Sequence, residues 1–166
     1  MNELIYCQRE IPRGELRYGF RASAATGCGW IATYNALRLL GKRADKQELI
    51  RSYARQLPLL HGNAGTSFWG PGAFFLHHGC AVRWGINRER FDALVEESEV
   101  CILFYYWRKG LKLGSHFVAL HKTDRGILGY NTYKDSSGPD RYGESLDAFL
   151  KKRGDFGCVL IGIREK

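Results

Sequence analysis

Thr26-Gly27-Cys28-Gly29-Trp30-Ile31-Ala32-Thr33-Tyr34-Asn35-Ala36-Leu37-Arg38-Leu39-Leu40-Gly41 is the stretch on which the reading of this chain turns. From Cys28 to about Leu40 it is apolar nearly all round, with Trp30, Tyr34 and Leu37 on one side of a helix and Ala32, Ala36, Leu39 and Leu40 on another. A helix without a polar face is buried in the centre of a domain. Cys28 shares its face with Ala32 and Ala36, small residues that let a sheet pack closely, and Gly41 ends the helix as a left-handed C′ residue. The cysteine in the first turn meets unpaired N–H groups and the positive end of the helix dipole, which favour thiolate over thiol. Gly27 and Gly29 on either side leave room for another chain's backbone, so a substrate carbonyl can approach the sulfur.

Working outward, the 166 residues fit one domain, 1–166, with a sizeable core. The net charge of +8 comes from 25 basic against 17 acidic residues, but the basic residues are scattered and align on no nucleic-acid motif. Arg9, Arg13, Arg17 and Arg21 recur every four residues, yet Pro12, Gly14 and Gly19 preclude a continuous basic helix. The charge therefore reads as solubility, with no nucleic-acid partner. Five cysteines, odd in number and spread along the chain, read as free thiols in a reducing, cytoplasmic setting. No targeting segment opens the chain, and the longest apolar run, Val100 to Trp107, is too short to span a bilayer.

Residues 1 to 27 read as an extended lead-in with one short strand near Leu4 to Cys7. A second helix starts after Asp45, where Asp45-Lys46-Gln47-Glu48 has capping-box spacing before Leu49, Ile50, Tyr53 and Leu57. Residues 61 to 72 form a loop, and Ala73 to His78 a short helix closed by Gly79. Beyond Cys80 come apolar segments with turn signals, predicting strands at Ala81 to Gly85, Val100 to Trp107, Ser115 to His121, Gly126 to Tyr133 and Gly157 to Ile163. Two helices interrupt them, capped by Asn87 and Ser145. Helices gathered in front and strands behind predict an α+β fold with an antiparallel sheet.

A base and an orienting group lie downstream of the cysteine. His116 opens a strand whose inward face is His116, Val118 and Leu120, with His121 on the opposite face. Asn131 ends the next strand, and a turn at Asp124-Arg125-Gly126 folds the two into a hairpin that brings His116 and Asn131 together. In this arrangement His116 takes the thiol proton of Cys28, and Asn131 fixes its tautomer and ring plane.

On Gly27-Cys28-Gly29 at the helix start, His116 followed by aromatic and aliphatic residues, and Asn131 in the next strand, the sequence resembles the papain-like cysteine peptidases. It is similar in particular to the compact bacterial branch that includes peptidases of double-glycine bacteriocin leaders. The resemblance implies a central N-terminal helix carrying Cys28, packed on an antiparallel sheet carrying His116 and Asn131. It also implies hydrolysis of peptide or isopeptide bonds through a thioester, a peptide or protein substrate, and no cofactor. Papain-like enzymes carry an oxyanion-binding glutamine about six residues before the cysteine; here that position is Ala22. The Cys28 N–H supplies one donor, Gly27, Gly29 and Ser23 form the surrounding candidate site, and Ser23, Arg21, Tyr18 or the distant Gln8 is the candidate second donor. Thiol-dependent acyl transfer uses the same constellation, and Ala22 motivates a second alternative, a catalytically impaired peptide-binding domain.

His77, His78 and Cys80, with His61 upstream, are the one cluster of soft ligands, but adjacent histidines diverge on a helix and no metal site is expected. Arg108, Lys109 and Lys112 fall in the segment 107 to 114, read as a loop at the cleft rim that favours an acidic or carboxylate-ended substrate segment.

Overall fold

The computed structural model describes residues 4–12, 16–18, 21–55, 66–133 and 135–166. A short hairpin of β1 (Arg17–Tyr18) and β2 (Arg21–Ala22) leads into α1 (Ser23–Thr26) and then α2 (Cys28–Leu39). α3 (Lys46–Arg55) and α4 (Gly70–His77) follow, then β3 (Ala81–Gly85) and α5 (Phe91–Glu96). The remaining elements are β4 (Val100–Lys109), β5 (Lys112–Thr123), β6 (Gly126–Tyr130), β7 (Asp140–Gly143), α6 (Leu146–Arg153) and β8 (Phe156–Arg164). β3 to β8 form a six-stranded antiparallel sheet in the order β3-β8-β4-β5-β6-β7.

The sheet is covered on both faces, and strand alternation sorts its side chains between two cores. Val100, Ile102 and Phe104 of β4, Phe117 of β5 and Ile161 and Ile163 of β8 face Trp30, Ile31, Ile50, Phe74 and Phe75 of α2, α3 and α4. Cys101, Leu103 and Tyr105, Val118 and Leu120, and Cys158 and Leu160 face Phe91, Leu94, Leu146 and Leu150 of α5 and α6. Burial on both faces is why Val100 to Tyr105 is a continuous run without polar alternation. Trp30 is fully buried, a contribution on the order of 2–3 kcal/mol.

Local chemistry explains the element ends. Gly41 takes φ 73° just past α2 and Gly154 takes φ 72° just past α6, the left-handed geometry that closes a helix. Asp45 Oδ1 accepts from Glu48 N at 2.7 Å, and Ser145 Oγ accepts from Ala148 N at 3.2 Å. Asn87 caps a 3-10 turn, Arg88–Arg90, that runs into α5.

Four expectations are corrected. Leu4 to Cys7 is not a strand: its main chain is held instead by the buried Asn35 amide, which accepts from Ile5 N at 2.9 Å and donates to Ile5 O at 2.8 Å. α4 begins at Gly70 rather than Ala73, because Pro71 suits the first helical turn. The segment 107 to 114 is not a loop but two paired strands running to Lys109 and from Lys112, around a tight turn at Gly110 and Leu111. β6 stops at Tyr130 rather than Tyr133, and β7, unforeseen, pairs with it. Leu57 and His61 lie outside the described residues.

Candidate active site

The site lies where β6 ends. The last β5–β6 pair is Ala119 with Tyr130, so the edge of β5 before Ala119 has no strand partner on the β6 side. Cys28, the first residue of α2, fills that position: its sulfur rests against the backbone N–H of Phe117, and against those of Gly29 and Cys28 itself. These donors pull the thiol's acidity toward the thiolate, as a helix N-terminus does. Burial outweighs them and pushes the Cys28 pKa up to about 11. The resting group is a thiol, against the helix-dipole expectation of a thiolate. Cys28 is nonetheless partly exposed, whereas Cys7, Cys80, Cys101 and Cys158 are buried.

His116 precedes Phe117, so its Cα lies about 2.4 Å from the backbone nitrogen that faces the sulfur. His116 is paired across the strands with Tyr105 and leaves β5 on the Tyr105 face, with ring centres 6.0 Å apart. Cys28 approaches from the opposite, α2 face. The cleft therefore lies around the free edge of β5 and is lined by both Cys28 and His116. His121, an odd number of positions along, leaves from the other face, as expected.

Asn131 joins the site differently from the sequence expectation. The His116 Nε2 donates to the main-chain carbonyl of Asn131 at 2.6 Å. A carbonyl only accepts, so Nε2 carries the proton and Nδ1 of the neutral ring is the basic nitrogen. The Asn131 amide turns away: its Oδ1 accepts from Gln8 N at 2.8 Å and its Nδ2 donates to Gln8 Oε1 at 3.4 Å. Asn131 has φ 64°, a left-handed conformation that asparagine tolerates better than most side chains.

Gln8 is the group that linear spacing understates. It sits 20 positions before Cys28 but lines the same cleft. Its Nε2 donates one proton to Ser23 O at 3.0 Å and has a second to offer. Ser23 itself is fully buried, and its Oγ accepts from Trp30 Nε1 at 3.1 Å. Tyr18 is also fully buried; its hydroxyl accepts from Thr66 at 3.2 Å, and burial, above all, raises its pKa.

The flanking glycines serve packing, which corrects the idea that they admit a substrate backbone. A Cβ on Gly29 would collide with the Thr66 side chain, and one on Gly27 would lie 2.5 Å from Trp30 Nε1 and 2.6 Å from Ser23 O. His78 is engaged elsewhere, its Nδ1 at 2.7 Å from Phe74 O and its ring stacked on Phe74 at 4.0 Å.

The cleft holds about 460 Å³ and is bordered by Cys28, His116, Asn131 and Gln8 together with Tyr105 and Trp107. No helix among the described residues is long and apolar enough to cross a membrane.

Comparisons with protein-family models and with curated proteins give no match. Among solved structures, the fold is similar to the peptidase domain of Streptococcus ComA, a bi-functional ABC transporter involved in a quorum sensing pathway. The TM-score is 0.56 at 12% identity, over 86% of this chain and 93% of that one. At that identity the likeness is one of fold, and it matches the α+β, papain-like architecture read from the sequence: an N-terminal helix carrying Cys28 on an antiparallel sheet.

Proposed function

We propose that this chain is a papain-like cysteine hydrolase acting on peptide or isopeptide bonds, with Cys28 as nucleophile and His116 as general base and acid. The observation that supports this most is the meeting at the free edge of β5. The Cys28 sulfur rests on the N–H of Phe117, and the adjacent His116 is fixed as the Nε2–H tautomer by the Asn131 carbonyl at 2.6 Å. In this reading the ring's Nδ1 takes the thiol proton as the sulfur attacks a carbonyl carbon. The oxyanion is received by the Cys28 N–H and the free amide proton of Gln8. His116 passes the proton to the departing amine, leaving a thioester, and then activates the water that hydrolyses it. Asn131 acts as a positioning residue, through its main chain toward His116 and through its amide toward Gln8. The bacterial leader-peptidase branch remains our finer assignment, on the motif resemblance and the ComA peptidase-domain fold.

A thiol pushed up to about 11 favours a second reading, a domain that holds a peptide without cleaving it. Incubation with an activated acyl ester, followed by intact-mass and peptide-mapping analysis, separates the two. The hydrolase reading expects a transient acyl group on Cys28 that decays in wild type and never forms in His116→Ala. The absence of any Cys28 adduct in wild type would favour the binding domain.

A further inference from the structure

The cleft beside Cys28 is strongly one-sided in charge. Strand alternation puts Tyr105, Trp107 and Lys109 of β4 side by side on its wall. Arg9 borders it beside Gln8, and Arg153 enters from the end of α6. No carboxylate lines it among the described residues, and among those residues Arg9 and Lys109 make no ion pair. Arg153 is held in place: Nη2 donates to the Tyr105 hydroxyl at 3.1 Å, and Nε faces the buried Asp155 carboxylate at 3.0 Å. Its guanidinium carbon lies 4.9 Å from the Tyr105 ring centre and 5.1 Å from that of Tyr133. Asp155 balances one of the three cations from behind and leaves the cleft itself positive.

The Tyr105 ring is shared by both groups, 4.9 Å from the Arg153 guanidinium and 6.0 Å from the His116 imidazole. The Arg153 guanidinium carbon is thus within about 11 Å of the imidazole centre, a span of roughly three residues of extended peptide. We infer that the cleft takes a peptide carrying a carboxylate about three residues or fewer from the bond attacked, with Arg153 as its anchor and Arg9 and Lys109 drawing it in. This rests on the peptide reading above and adds its substrate class. A carboxylate is matched by a fixed, planar guanidinium and by unpaired cations at the mouth of a partly enclosed site, where their field is less screened than on an open surface. It has two peptide sources, an acidic side chain and a C-terminus.

The test compares the alkylation of Cys28 by iodoacetate and by the neutral iodoacetamide, followed by peptide mapping, so it needs no turnover. The ratio of the two rates cancels changes in thiol acidity that act on both reagents. Relative to N-acetylcysteine amide, the ratio at Cys28 is expected to be raised. It should fall about fivefold in Arg9→Ala/Lys109→Ala and in Arg153→Met, and fall also on adding salt. The double variant changes only border cations, so the test survives if Arg153→Met fails to fold. Protection of Cys28 by acetyl-Ala-Ala-Ala with a free C-terminus, by its amide and by acetyl-Ala-Glu-Ala amide then names the source. Protection by the free acid alone identifies a terminal carboxylate, and protection by the glutamate amide identifies a side chain. A ratio equal to that of the small thiol and indifferent to the double variant, or equal protection by all three peptides, overturns the proposal. A raised, variant-sensitive ratio in a protein that cleaves nothing would instead count against the hydrolase reading and leave the carboxylate site standing.

Discussion

His116 is held through the main chain of Asn131, not through its amide: Nε2 to O is 2.6 Å, and the asparagine reaches that position at φ 64°. The conformation, more than the side chain, presents the acceptor. Asn131→Gly keeps the left-handed backbone and the carbonyl while losing the link to Gln8, and Asn131→Ala loses the link and opposes the backbone by about 1–2 kcal/mol. Turnover is expected to fall about tenfold or less in the glycine variant and further in the alanine variant. Equal loss in both, with unchanged stability, would return the orienting role to the amide.

Gly29 is expected to be intolerant for a reason internal to the fold. Gly29→Ala drives a methyl into Thr66, and overpacking of this kind costs about 1–3 kcal/mol. Thermal melts of Gly29→Ala, Thr66→Ala and the double variant form a cycle, and the second substitution should recover most of the loss. Strict additivity would show that Thr66 is not the obstacle.

Alkylation should be selective and rise with pH. Cys28 is the partly exposed thiol of the five and is pushed up to about 11 by burial. Iodoacetamide should modify Cys28 before Cys7, Cys80, Cys101 and Cys158, with a rate that climbs about tenfold per pH unit between pH 7 and 10. A plateau from acidic pH upward would mean a resting thiolate–imidazolium pair and would contradict the neutral thiol described here.

Cys101 makes a matching prediction for stability. Burial raises its pKa from 9.0 to about 12, so the folded protein resists losing a proton that the unfolded chain gives up. The stability this thiol contributes is whole below pH 9 and is lost as pH rises toward 12. Cys101→Ala should cost stability at pH 7 but flatten the alkaline decline, by about 2–3 kcal/mol at pH 11. Parallel curves for wild type and variant would refute this.

Much of the architecture was legible because it rests on local rules. The all-apolar run after Cys28, Gly41 at its end, the Asp45 and Ser145 caps and the Asp124-Arg125-Gly126 turn each specify their own geometry. β7 was not legible, since Asp140 to Gly143 follows Ser136-Ser137-Gly138-Pro139 with no apolar alternation and becomes a strand by pairing with β6. The second helical layer was half legible: the continuous apolar run of β4 signals two buried faces, yet nothing local says which helices cover each. In the site, the nearness of His116 to Asn131 followed from hairpin spacing. The use of the carbonyl instead of the amide depends on one backbone angle and on Gln8, which a hairpin separates from Cys28 in sequence.

The central claim is that Cys28 and His116 cut an acyl bond in this cleft, and incubation with a mixed peptide library, followed by mass-spectrometric reading of new N-termini, tests it most directly. Wild type should generate new termini, concentrated near an acidic residue or a C-terminus, while Cys28→Ala and His116→Ala, each folded by circular dichroism, should lose about 10⁴-fold or more of the rate. No cleavage by folded wild type, or cleavage undiminished in Cys28→Ala, would contradict the account.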